Sequence, residues 1–82
     1  MNEIIAGDFV QMRRNGTTVV GLVRKVESGQ AFVSWHGGRE MLDETLPTSE
    51  LLIVGEHVYL PPSLVIFREE LFPQTTFRTR RE

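Results

Sequence analysis

Three glycine-bearing pairs, Asn15-Gly16, Ser28-Gly29 and Gly37-Gly38, stand close together between short β-rich runs. Two-residue hairpin loops need positive φ angles, which such pairs supply at little cost. The spacing predicts a four-strand antiparallel meander in the first half of the chain. Runs this short bury little as a flat sheet, so the meander is expected to curl into a small barrel.

The register follows from the loops. With Asn15-Gly16 as a two-residue loop, Arg14 faces Thr17, Met12 faces Val19 and Val10 faces Gly21. Directly opposed residues share a face, which places Val10, Met12, Val19 and Val23 on one apolar side. The reverse side carries Gln11, Arg13, Thr18 and Arg24, with Phe9, Val20 and Leu22 among them. Val23 and Val26 are three apart, so strict alternation cannot turn both inward. A bulge around Arg24-Lys25 resolves the conflict, because one extra residue switches the inward side. The third strand then contributes Ala31, Val33 and Trp35 to the interior. A fourth strand is expected over about Arg39 to Asp43, with Leu42 opposite Val33 and pointing inward. Thr48-Ser49-Glu50-Leu51 reads as a single helical turn, since Thr48 and Ser49 are capping residues, and Leu51 to Val54 as strand five.

Eighty-two residues suffice for one domain with a modest core. There is no cysteine, hence no disulfide framework and no thiol chemistry. Ile4-Ile5-Ala6 is far too short an apolar run for a signal or membrane segment, and a cytoplasmic protein is expected. The net charge is −2, but it is unevenly spread. Gln11 to Lys25 holds Arg13, Arg14, Arg24 and Lys25 and no acid, whereas Val26 to Glu56 holds six acids against Arg39. Arg78, Arg80 and Arg81 make the end basic again. A surface polarised this way orients a charged partner.

Taken together, Gly7-Asp8-Phe9-Val10, Asn15-Gly16, Gly21-Leu22-Val23-Arg24-Lys25-Val26, Ala31-Phe32-Val33-Ser34-Trp35, Leu46-Pro47 and Ser49-Glu50-Leu51 resemble the SH3-like barrel superfamily, closest to its Tudor and KOW branches. The resemblance covers about Gly7 to Val54. It implies a five-stranded antiparallel barrel and a binding role, since barrels of this superfamily rarely act as enzymes. The superfold hosts many activities, so the site must be argued from residues.

Past the barrel, Leu64, Phe67 and Leu71 share one helical face, with Ser63 placed as N-cap. Leu64-Val65-Ile66-Phe67 reads equally as a buried strand, and the segment 63–72 stays open between a short helix and an extra strand. The chain is thus divided into a barrel over 1–55, an extension over 56–77 packed on the barrel or at an interface, and a flexible basic tail over 78–82.

No catalytic chemistry emerges. His36 and His57 lack a third donor at ligand spacing, Glu40 and Glu44 fall on the opposite strand face from Asp43, and no serine motif or phosphate-cradling glycine loop is present. No cofactor or metal is expected, and the chain reads as a non-enzymatic module. The first reading is protein interaction, with another protein or a second copy, through Phe9, Val20, Leu22, Leu64, Ile66 and Phe67. The second is RNA or DNA binding by Arg13, Arg14, Arg24 and Lys25, whose guanidinium and ammonium groups suit phosphates. The third, implied by the Tudor resemblance, is a methyl-lysine or methyl-arginine cage built from Phe9, Phe32, Trp35 and Tyr59. Val19-Val20 and His36-Gly37 stand where that branch carries aromatics, which ranks this reading last.

Overall fold

The computed structural model describes residues 3–37, 40–73 and 75–81. Five antiparallel strands form one sheet: β1 (Phe9–Arg14), β2 (Thr17–Glu27), β3 (Gln30–His36), β4 (Met41–Pro47) and β5 (Leu52–Ile53). A 3-10 turn over Thr48–Glu50 precedes β5, and a helix, α1, spans Pro62–Leu71. The strand order is β4-β3-β2-β1-β5. The ladder does not return from β5 to β4, so the expected closed barrel is instead an open, bent sheet.

The first two hairpin loops follow the expected chemistry. Asn15 and Gly16 have φ of 53° and 77°, and Ser28 and Gly29 have φ of 52° and 75°. Positive φ at both central residues matches the right-handed twist of the flanking strands. The β1–β2 register is the expected one, with Met12 opposite Val19 and Val10 opposite Gly21. The bulge also falls as expected, between Val23 and Lys25. It lets Val23 and Val26 both reach the inner side, where Val23 is fully buried.

The third loop departs from expectation. Gly38 and Arg39 lie outside the described residues, but the Gly37 amide donates to the Glu40 carbonyl at 3.0 Å, closing a four-residue connection. The fourth strand consequently starts at Met41, and Leu42 faces Trp35 rather than Val33. A shift of two preserves the face but not the position. Leu42 still points the same way as Trp35, yet it lies beyond the core and is 54% exposed.

Each side of the sheet carries its own core. The inner cluster joins Ile4, Val10, Val23, Ala31, Val33, Trp35, Leu51 and Ile53. The outer cluster joins Phe9, Val20, Leu22, Val54 and Leu64, with Val58, Leu60, Val65, Phe67 and Phe72 packed around it. The residues that follow β5 therefore pack on the outer face of β1 and β2.

The segment with two readings is a helix. Pro62 occupies its first turn, where a missing N–H costs nothing, and Pro73 stands just past its end. The N-cap is Pro61, which has no side-chain bond to offer, so Ser63 does not serve as the expected cap. Ten residues without caps are marginal alone, and burial of Leu64 and Arg68 against the sheet holds the helix in place.

The segment 78–82, expected to be a flexible basic tail, is tied back over its described residues. Phe77 meets Phe9 edge-on at 4.9 Å between ring centroids. Arg80 bridges Gly55 in parallel, its amide donating to the Val54 carbonyl at 2.7 Å.

Gly21 is where the sheet tolerates least. A β-carbon there would stand 2.7 Å from a Trp35 ring carbon and 2.8 Å from a Val33 methyl. Gly21→Ala is expected to destabilise the fold by about 1–3 kcal/mol, the usual cost of overpacking a closed core. Urea denaturation followed by tryptophan fluorescence checks this, and an unchanged midpoint contradicts it.

Candidate functional site

The four bases of the first hairpin do not form one patch. Arg14 shares the inner face with Met12, and its Nη2 donates to Glu44 Oε1 at 2.6 Å. Its guanidinium also lies 5.6 Å from the centroid of the Trp35 ring. Arg14 and Glu44 thus span the seam where β1 and β4 approach without pairing, and they roof the inner core. Trp35 is buried beneath them, with its Nε1 unpartnered.

The other three bases are also engaged. Arg24 stands 3.9 Å from Asp43 and 5.6 Å from the Phe67 ring. Lys25 pairs with Glu27 at 3.4 Å and lies over Phe32. Arg13 donates to the Gly16 carbonyl at 3.0 Å across its own turn. Three of the four therefore have an acidic neighbour, which weakens the field any phosphate would feel.

The expected interface residues divide. Phe9, Val20, Leu22 and Leu64 are buried in the outer cluster and present nothing to a partner, because the chain's own helix covers them. Ile66 is exposed and Phe67 half-buried. The expected aromatic cage is likewise dispersed. Phe9 belongs to the outer core, Trp35 to the inner core, Phe32 sits at the surface and Tyr59 is 73% exposed.

An aromatic enclosure does exist, built from other residues around Arg68. This guanidinium is 5% exposed and lies 5.8 Å from the rings of Phe9, Phe72 and Phe77. It donates from Nε to the Gly7 carbonyl and from Nη1 to the Thr75 carbonyl at 2.9 Å. No carboxylate among the described residues pairs with it. The charge is held by carbonyls and ring faces, a workable arrangement for the weakly hydrated guanidinium. The signal in the sequence was an arginine four residues after Leu64, on the helix's apolar face.

Asp8 is a second residue that pattern reading passed over. Its carboxylate is buried, accepts from the Ile5 amide at 2.9 Å, and receives Nε and Nη2 of Arg78, each at 3.0 Å. The hydrogen bond it donates to Asp8 holds the Arg78 guanidinium above its ordinary pKa, against partial desolvation and with help from the charges of Asp8 and Glu3. A raised folded-state pKa contributes stability below the unfolded value and loses it only as pH rises through the folded one. For arginine that window is strongly alkaline, so the contact holds across the neutral range.

The main concavity adjoins the bulge. It is a groove of about 600 Å³ lined by Arg24, Lys25, Phe32, Asp43, Leu71 and Phe72, among others. Phe32 and Leu71 are 36% and 41% exposed within it. Beside it runs β4, an edge strand with no strand partner on its far side among the described residues. Arg24 and Lys25 rim one flank, Asp43 the other, and apolar carbon lies between them.

Among the described residues no group of three or more acidic, histidine or cysteine side chains is placed to hold a metal, and no helix is long and apolar enough to cross a membrane. No family model, curated protein or solved structure matches the chain. Its function is therefore read from its own surface.

Arg68→Ala is expected to cost about 2–3 kcal/mol, since it leaves the Gly7 carbonyl without its donor and opens the ring enclosure. Equilibrium denaturation measures this, and a loss under about 0.5 kcal/mol contradicts a role in holding α1 to the sheet.

Proposed function

We propose that this chain is a non-enzymatic protein-interaction module on an SH3-like scaffold, which receives an extended peptide segment along β4 and the adjoining groove. The observation that carries the reading is the conjunction of a free strand edge with a mixed-charge, apolar-floored groove beside it. An extended peptide satisfies both at once, by main-chain hydrogen bonds to the edge and a side chain set against Phe32 and Leu71. The strand order and the 3-10 turn before β5 support the SH3-like assignment. The lack of cysteine fits a cytoplasmic setting.

The charge distribution favours a polypeptide over a polyanion. Arg24 and Lys25 face Asp43 across the groove, an arrangement that fixes the direction of a dipolar segment. A nucleic acid would meet the acids and would find Arg14 already committed to Glu44. The methyl-lysine reading loses its cage, because the four expected rings do not converge.

Two results test the proposal. Panning of the full chain against a library of extended peptides is expected to select binders carrying one apolar anchor, with affinity falling at least tenfold on Leu71→Asp while the far-UV spectrum is unchanged. The double change Arg13→Glu with Arg24→Glu is expected to leave retention on heparin the same. Strong heparin retention that this double change abolishes would instead favour nucleic acid.

A further inference from the structure

The ladder between β3 and β4 decides which backbone groups of β4 are open. The Gly37 amide donates to the Glu40 carbonyl and the Thr48 amide to the Gly29 carbonyl, each at 3.0 Å. Both pairs continue the register in which Val33 opposes Glu44 and Trp35 opposes Leu42. Bonded and non-bonded pairs alternate along an antiparallel ladder, so Leu42, Glu44 and Leu46 turn their N–H and C=O groups to β3. Met41, Asp43 and Thr45 turn theirs to the edge. Pro47 has no N–H, and the row of free donors stops before it. Asp43 and Thr45 also share a sheet face with Ser34 and Phe32, and both line the groove. The buried Ser34 hydroxyl donates to Asp43 Oδ1 at 2.7 Å and fixes the carboxylate. Oδ2 has Arg24 at 3.9 Å, too far for a hydrogen bond, and accepts none among the described residues. Thr45 is small and exposed, so a side chain arriving opposite it lies over it towards Phe32 and Leu71.

We infer that β4 takes up a partner protein's strand in antiparallel register, with a basic residue opposite Asp43 and an apolar residue opposite Thr45. Read in the partner's chain direction, the pattern is apolar-x-basic. The inference rests on the reading of β4 and its groove as a peptide site, and adds the chemistry of the occupant. Antiparallel addition continues the pairing of every other strand in the sheet and is the more stable ladder per residue. It sets the opposed side chain about 5 Å from that of Asp43, where an opposite charge stabilises and a like charge does the reverse. Arg24 and Lys25 are rooted two strands further in and lie over Phe67 and Phe32, so Asp43 is the charge that stands directly opposite. A second copy's β4 is a poor occupant. Glu40, Asp43, Glu44 and Glu50 follow one another with no base between them, and self-pairing sets acid against acid.

Two short labelled peptides, titrated onto the full chain, test the inference. Both are threonine and serine throughout, except for a leucine followed two places later by arginine in one and by glutamate in the other. The arginine peptide is expected to bind at least about fivefold tighter, and the preference to reverse on Asp43→Lys. If that variant fails to fold, Asp43→Asn takes its place and is expected to erase the preference. A preference that survives either change, or equal binding of the two peptides to the unaltered chain, overturns the pattern. Where both peptides bind equally yet weaken on Leu71→Asp, the groove reading stands and only its chemistry falls. Binding by neither peptide overturns the pattern, and the library panning decides whether the groove reading falls with it. N-methylation of the arginine amide, which would face the Asp43 carbonyl, is expected to abolish binding, whereas N-methylation of the residue between leucine and arginine leaves it intact. Equal loss from the two methylations overturns the register. A species of twice the chain mass by light scattering that the arginine peptide does not dissociate assigns the edge to a second copy, and overturns the inference.

Discussion

One extra residue in β2 decides what the rest of the molecule can do. Without the bulge after Val23, strict alternation would send either Val23 or Val26 into water and leave β3 with its apolar side on the wrong face. With it, a single eleven-residue strand serves β1 through one half and β3 through the other. Both sides of the sheet become usable. The concave side closes over Trp35, and the convex side around Phe9 and Leu22 is left for the helix. The same local widening sets Arg24 and Lys25 at the lip of the groove.

Much of this was written in the chain. Turn pairs with obligatory positive φ set the first register, and a three-residue spacing between valines announced the irregularity. The helical turn before β5 was legible because Thr48 and Ser49 are of the types that cap helices. Other features were not, and the reason is physical. The length of the third connection depends on a backbone bond between Gly37 and Glu40, which no pattern of apolar residues reports. The fate of Phe9, Val20 and Leu22 was hidden because an outward apolar row looks the same whether a partner or the chain's own helix covers it. Only tertiary placement tells these apart.

Polar groups account for the largest differences between reading and structure. Arg14 was grouped with three other bases by proximity in sequence, yet its strand face sends it to Glu44. Arg68 stands unremarked in the sequence pattern, and Arg78 reads only as part of a basic tail, though Arg68 reaches Gly7 across 61 positions and Arg78 reaches Asp8 across 70. Long charged side chains contact according to where their tips arrive, and alternation constrains only where they begin. The ends of the chain are accordingly more integrated than their composition suggests, with the first turn, α1 and the last described residues meeting at one corner of the sheet.

The lone indole offers a practical dividend. Trp35 belongs to the concave cluster and sits under a cationic roof, whereas the convex cluster is built from phenylalanine and aliphatic carbon. Its emission therefore senses whether the seam is shut while staying nearly blind to events at the opposite corner. Spectroscopy on the unmodified chain can follow one half of this molecule at a time.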